Sequence, residues 1–315
     1  MKAVRMHAYG GALALEDIPL PSIADDEVLV KISCTAVNHL DLVEASGAAR
    51  QIFPIDLPWT PGHEFSGVVE RVGKAVIGFA PGDAVFGDSS NGAYAEYLAA
   101  KEATIAKKPP NLSFEEAASV PVAAQTAWQA VFTHGRLTKE QTILIHGGAG
   151  GVGAYAVQLA VNAGAKVIVT ASTDDEAYVK SLGASRVIDY RTARFENELP
   201  DKVDVVFDLI GGETQQRSFQ VLKRGGYLVA ATQPVSQEEA AKYGVTGILM
   251  NMTPTAALLG QLSKLLEEGK IVPDVAKVYA LPDVAQAWSD MAGGAQGQSG
   301  AAAARTHGKL VLKVS

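Results

Sequence analysis

The sequence predicts an α/β protein that joins a β-rich, barrel-like module to a doubly wound parallel sheet covered by helices. Three observations carry this. Residues 143–154 read Ile-Leu-Ile-His-Gly-Gly-Ala-Gly-Gly-Val-Gly-Ala, an apolar strand that runs into a glycine cluster where a helix begins. From there to about residue 231, strand-like runs alternate with helical stretches, the order that produces a parallel sheet. Before residue 117, short apolar runs are separated by turn residues, as closely spaced barrel strands require.

Taken in order, the first module offers strands at Glu27–Ile32, Gly67–Val72, Ala84–Phe86 and Ala93–Leu98, with Pro81-Gly82-Asp83 as a turn. Ser113 followed by Glu115-Glu116 reads as a helix start, and Ala117–Phe132 is rich in helix formers. After the glycine cluster, Tyr155–Ala160 continues as a helix and Lys166–Thr170 as the next strand, which completes a βαβ unit. Further strands fall at Arg186–Asp189, Val203–Leu209 and Tyr227–Ala231. A helix over Thr255–Glu268 leads to a closing β segment that ends in the alternating strand Lys309–Val314. That last strand is expected to return to the first module. The domains are therefore expected at 1–118 with 254–315, and at 119–253. Residues Ala292–Ala304, rich in Gly, Ala, Gln and Ser, read as a mobile surface loop.

Composition narrows the function classes. At 315 residues and 48% hydrophobic content the chain can bury a sizeable core. Its 27 basic against 34 acidic residues leave a net charge of −7, which offers no electrostatic footprint for nucleic acid or an anionic membrane. No signal-peptide pattern or apolar stretch of bilayer length is present in the sequence, so a cytoplasmic location is expected. The single cysteine, Cys34, excludes an internal disulfide and any multi-cysteine metal site, and reads as a buried thiol.

Gly148, Gly150 and Gly153 match G-x-G-x-x-G between a strand and a helix. In that context the first glycine serves the turn, the second admits a pyrophosphate and the third lets helix and strand pack. The helix N-terminus, with Gly151 and Val152, then faces the phosphates. Where a site for the NAD ribose would carry an acid about 20 residues further on, this chain has Ala171. Ser172 and Thr173 follow as hydroxyl donors for a 2′-phosphate, so NADPH is the expected cofactor. Asp174-Asp175-Glu176 opposes this unless it is a solvated helix start.

Several ordered motifs carry a family resemblance: Ala36-Val37-Asn38-His39-Leu40-Asp41, Pro61–Gly67 with Gly62-His63-Glu64, Gly82–Val85, Ala117–Pro121, Thr126-Ala127-Trp128, Asp208–Gly212 and Gly308–Leu312. With the glycine fingerprint they span nearly the whole chain, which resembles the zinc-independent, quinone-oxidoreductase-like branch of the medium-chain dehydrogenase/reductase superfamily. The resemblance implies a GroES-like β-barrel substrate domain, a Rossmann domain, NADPH, a quinone or enone substrate and a homodimer. It also implies cofactor contacts from Thr126, Ile210 and Ala230, and a second phosphate contact from Tyr190 and Arg191. In zinc-dependent relatives a ligand cysteine would align with Asn38 and another near Val122; this chain has neither, and a catalytic zinc needs about three ligands. His63 and Glu64 are then expected to form a hydrogen-bonded pair. No metal site is expected.

Without a Lewis acid, reduction of an electron-poor acceptor is the accessible chemistry. The candidate catalytic residues are Asn38, as an amide donor to a developing enolate or as a helix cap, and Asp41, as an orienting group or ribose contact. The loop 44–57 contains no tyrosine, so proton delivery falls to His39, Tyr94 or solvent. Ile52, Phe53, Leu57 and Trp59 either line the acceptor pocket or are core. Val245–Met250 is the expected dimer edge strand. The alternatives are a non-catalytic NADP(H)-binding protein of the same fold and an unusual zinc-dependent alcohol dehydrogenase.

Overall fold

In the computed structural model, which describes residues 1–199, 201–295 and 307–315, the chain divides into two compact units. One contains Met1–Val122, Pro254–Glu267 and Pro273–Ser315; the other contains Ala123–Thr253 and Glu268–Val272. The first unit is β-rich. Its strands are β1 (Lys2–Met6), β2 (Leu13–Asp17), β3 (Glu27–Ala36), β4 (Glu64–Val72), β5 (Ala84–Asp88), β6 (Tyr97–Lys101) and β7 (Ile105–Lys107). The second unit supplies β8 (Thr142–His146), β9 (Lys166–Ala171), β10 (Arg186–Asp189), β11 (Val203–Asp208), β12 (Leu222–Ala230) and β13 (Thr246–Leu249). The chain then returns to the first unit for β14 (Val275–Ala280) and β15 (Lys309–Lys313).

The barrel unit's main sheet runs β14-β15-β3-β4-β5-β7, and β6 also pairs with β3. Alternation along β3 sends Val28, Val30 and Ile32 into one cluster with Phe65, Val69, Val85, Leu98 and Ile105. Cys34 lies on the same strand, buried, and burial pushes its thiol pKa up to about 12. It is an inert thiol, as expected. The helix Ala256–Glu267 buries Leu258, Leu259, Leu262 and Leu266 on one face of the period-3.6 pattern.

The second unit is a six-stranded, all-parallel sheet in the order β10-β9-β8-β11-β12-β13. Counted within the unit this is 3-2-1-4-5-6, with the order reversing at β8, and ligands of such sheets bind beyond the strand C-termini at that reversal. β13 lies at one edge of the sheet.

Three expectations change. The helix expected over Ala117–Phe132 is broken into two pieces, Phe114–Ala118 and Pro121–Trp128, because Pro121 has no N–H to continue a helix ladder. A widened π turn, Gln129–His134, follows. The strand expected over Ala93–Leu98 begins only at Tyr97, since the Ala93 and Tyr94 N–H groups donate to the Gly62 and Pro61 carbonyls instead. Residues 292–295 of the expected loop Ala292–Ala304 belong to the helix Val284–Ala295, and the rest of that loop lies outside the described residues.

Candidate functional site

In the barrel unit the candidate catalytic residues sit where β3 gives way to helix α1 (His39–Ser46), with Asn38 at the N-cap. β15 runs antiparallel to β3 with Val311 opposite Ala36, and the Val37 N–H donates to the Leu310 carbonyl. Continuing that register brings Lys309 opposite Asn38. The Lys309 ammonium donates to Asn38 Oδ1 at 2.5 Å and lies 2.8 Å from Glu64 Oε1. Asn38 Nδ2 donates to the same Glu64 oxygen at 2.9 Å and more weakly to the Ala36 carbonyl at 3.5 Å, while Glu64 Oε2 accepts the Val122 N–H at 2.8 Å. Glu64 is fully buried and Lys309 nearly so, and such a charge pair persists only because each partner is satisfied.

One turn into α1, Asp41 is also fully buried. It accepts the Asn38 N–H at 2.7 Å, the Gly62 N–H at 3.2 Å and the Tyr94 hydroxyl at 2.9 Å. Burial raises its pKa, against the opposing pull of the His63 charge and these hydrogen bonds. Three residues on, on the same helix face, Glu44 takes the His63 Nε2 at 2.7 Å. Burial works against a charged His63, but the Glu44 hydrogen bond and the Asp41, Glu44 and Asp88 carboxylates outweigh it and raise its pKa to about 9.

This geometry corrects several expectations. His63 pairs with Glu44 and not with Glu64, because adjacent residues at the start of a strand point to opposite sides. Asn38 is a helix cap whose amide is engaged by Glu64 and Lys309, which removes it as a donor to an enolate. Asp41 is an orienting group held by three donors, with no exposed surface for a ribose contact. Tyr94 is fully buried and its hydroxyl is committed to Asp41, with Trp288 Nε1 donating back at 3.4 Å, so it delivers no proton. His39 is exposed, and crowding together with the Lys309 charge lowers its pKa, leaving a neutral imidazole at neutral pH. Ile52 and Leu57 are exposed and Phe53 and Trp59 half-buried, so none of the four is core.

The same contacts test the fit of a catalytic zinc. Asp41, Glu44 and His63 place one ligand atom each within 4.8 Å of one another. His63 Nε2, however, is taken by Glu44 at 2.7 Å and the Asp41 carboxylate by three hydrogen-bond donors, so the ligand atoms are already engaged within the fold. The Asn38 side chain meets an ammonium, a like charge for any cation. The donor set does not fit.

In the second unit, β8 ends at His146 and turns through Gly147, whose φ of +77° is left-handed, into the helix Gly151–Asn162. The turn is therefore made at Gly147, one residue before the expected Gly148. Gly148 is required for packing, because a Cβ there would lie 2.2 Å from Val169 Cγ1; one at Gly153 would lie 2.2 Å from the Gly147 carbonyl. Gly150 differs. A Cβ there meets only the Gly147 oxygen, at 3.4 Å, and the residue is exposed. The surface beside Gly150 is therefore open, as a pyrophosphate laid on the N–H groups of Gly151, Val152 and Gly153 would require. The residues present fit a dinucleotide.

Two further candidate cofactor residues, Ile210 and Ala230, lie at strand C-termini. Ile210 is 57% exposed after β11, on a loop held by Asp208 Oδ1, which accepts the Ile210 and Gly211 N–H groups at 3.0 Å each. Ala230 closes β12 and is buried; Thr126 is half-buried on the helix Pro121–Trp128. His146 is fully buried between Thr170 and Ser218, and burial, helped by Arg217, lowers its pKa to about 3, so it is a neutral core residue.

The expected phosphate donors are found in a different state. The Ser172 hydroxyl donates to Asp175 Oδ2 at 2.5 Å, the Thr173 hydroxyl donates to Asp189, and Arg191 Nη1 lies 3.2 Å from Asp174 Oδ2. Arg191 also lies over the ring of the exposed Tyr190. Asp174 and Asp175 are thus not only a solvated helix start, because each turns onto a group expected to receive phosphate. Sequence reasoning missed Glu44 and Lys309, and left Asp174 and Asp175 open between an opposing charge and a solvated helix start; of the missed pair Glu44 alone is legible, three residues beyond Asp41 on one helix face.

Comparison with known proteins gives the family. Residues 24–110 match the alcohol dehydrogenase GroES-like domain and residues 182–312 the zinc-binding dehydrogenase family. The chain is 38% identical over 287 residues to the 2-methylene-furan-3-one reductase of Solanum lycopersicum, covering 87% of this chain and 71% of that one. It is 37% identical over 289 residues to the NADPH-dependent alkenal/one oxidoreductase, chloroplastic, of Arabidopsis thaliana, covering 87% and 72%. Among solved structures, the quinone oxidoreductase from Coxiella burnetii superposes with a TM-score of 0.88 at 32% identity, covering 100% of this chain and 99% of that one. Ordered motifs, sheet order and these likenesses agree, and the chain belongs to the quinone-oxidoreductase-like branch of the medium-chain dehydrogenase/reductase superfamily.

Proposed function

We propose that this chain reduces quinones or α,β-unsaturated carbonyl compounds with NADPH, without a catalytic zinc. The observation that carries the reading is the Asn38–Lys309–Glu64 cluster: an ion pair occupies the place where zinc-dependent relatives are expected to hold a ligand, while the glycine turn remains built for a dinucleotide. The relatives named for alkenals, furanones and quinones support the same substrate class.

Bound NADPH supplies the hydride; the chain supplies binding and orientation. Gly151, Val152 and Gly153 would hold the pyrophosphate, Gly150 would admit it, and Ile210, exposed at the end of β11, would contact the cofactor, while Ala230 is buried beneath it. Asp41 and Glu44 fix His63, and Lys309 fixes Asn38 and Glu64, so the start of α1 is rigid. Ile52, Phe53, Leu57 and Trp59 offer apolar surface to the acceptor. Solvent returns the proton to the reduced acceptor, since Tyr94 is committed to Asp41 and the His39 pKa is lowered. The reading includes a homodimer through β13, an edge strand with Leu249 47% exposed, and a cytoplasmic location. No helix among the described residues is long and apolar enough to cross a membrane.

The test mixes NADPH with a quinone and, separately, with an enone, and follows loss of nicotinamide absorbance. Reduction of either, with no oxidation of a secondary alcohol by NADP⁺, is expected. Faster alcohol oxidation would overturn the reading, and tight NADPH binding without turnover would assign a non-catalytic binding protein. Light scattering at micromolar concentration checks the dimer.

A further inference from the structure

We propose that Asp174 sets the cofactor specificity of this chain by competing with the adenosine 2′-phosphate for Arg191, so that NADH is bound nearly as well as NADPH. The inference rests on the NADPH reading above and refines it.

β9 and β10 are parallel neighbours with Asp189 opposite Ala171, so the residues just past both strand ends lie side by side. Three of the four side chains on this edge that were expected to receive phosphate already meet a carboxylate: Ser172 meets Asp175, Thr173 meets Asp189, and Arg191 meets Asp174, while Tyr190 lies against Arg191. One guanidinium therefore stands among three aspartates. A 2′-phosphate approaching this edge is repelled by the surplus negative charge, and its bond to Arg191 replaces an existing charge-assisted bond instead of adding one. A 2′-hydroxyl meets no such penalty, because it is a donor among carboxylate acceptors.

The three aspartates are not equivalent. Asp189 accepts the Arg191 N–H at 2.9 Å as well as the Thr173 hydroxyl, and Asp175 anchors the buried Ser172. Both hold the two turns together. Asp174 is 69% exposed at its side chain and grips only the guanidinium tip at 3.2 Å, so its charge can be removed while the turns stay in place. That makes Asp174 the specificity-determining position, and it acts by occupying Arg191.

The experiment measures Kd for NADPH and NADH by nicotinamide fluorescence, and for 2′,5′-ADP and 5′-AMP by calorimetry. It uses the wild type, Asp174→Asn and Arg191→Ala. Wild type is expected to favour NADPH by less than about tenfold. Asp174→Asn is expected to raise the NADPH:NADH affinity ratio about five- to tenfold through tighter NADPH, with 2′,5′-ADP following, and the gain should shrink in high salt. Arg191→Ala is expected to bring the ratio to one or below. A ratio unchanged by Asp174→Asn, or a wild type that already favours NADPH several hundredfold, overturns the inference and leaves the NADPH reading standing. A wild type that binds NADH but neither NADPH nor 2′,5′-ADP overturns that reading too.

Discussion

The polar cluster around Asn38 and Lys309 and the one around Arg191 are built from the same groups, carboxylates facing a cation and amide or hydroxyl donors, yet burial gives them opposite consequences. In the barrel unit Glu64 and Asp41 have no exposed surface, so each charge is retained only with its full set of partners and removing one partner strands another. In the nucleotide unit the Arg191 and Asp174 side chains are 40% and 69% exposed. Water replaces a lost partner there, and the pair contributes little to stability. What remains for the exposed cluster is selectivity, because its charges are open to a ligand. A buried cluster holds the frame; an exposed one chooses what binds.

The largest expected effect comes from breaking the buried pair. Lys309→Met should destabilise the protein by about 3–5 kcal/mol in denaturant titration, since Glu64 is left buried and unpaired. The double substitution Lys309→Met with Glu64→Gln should recover much of that loss, and a double variant no more stable than the single one would argue against the ion pair. A smaller effect follows from His63. Its raised pKa stabilises the folded state fully below the unfolded value near 6.5, and the contribution is lost as pH rises through about 9. Stability should therefore decline between those limits by at most about 3 kcal/mol, and His63→Asn should remove the slope. Melting curves across pH 6 to 10 decide it.

The glycine turn separates packing from binding. Gly153→Ala should cost about 1–3 kcal/mol of stability, because its Cβ meets the Gly147 carbonyl at 2.2 Å. Gly150→Ala should leave thermal stability within about 0.5 kcal/mol while weakening NADPH at least about tenfold by fluorescence titration. Equal losses of stability at both positions would break the distinction. Smallest of all, Asp174→Asn should shift stability by less than about 0.5 kcal/mol; a larger change would mean that the exposed cluster also supports the fold.

Much of the architecture is legible in the chain because it depends on neighbours in sequence. Strand and helix periodicity and the glycine spacing before the helix at Gly151 act over a few residues, and backbone sterics alone give them meaning; the break at Pro121 is equally local, but the helix-forming composition of residues 117–132 conceals it. Alternating strands and helices make the sheet parallel, whereas its order, 3-2-1-4-5-6, is one of several doubly wound orders and comes from the structure. The identity of the polar partners is different. Lys309 reaches Asn38 across 271 positions because β15 returns beside β3 in one register, and a slip of one residue would point its side chain to the other face. His63 could have met Glu64 or Glu44, and the strand's alternation chose Glu44. Ser172, Thr173 and Arg191 are donors by their chemistry, but whether a donor is open or already engaged depends on how two parallel strand ends lie beside each other. Local sequence specifies which groups are available; long-range packing specifies which of them meet, because the energy of a hydrogen bond or ion pair is realised only at contact distance and in the dielectric that burial creates.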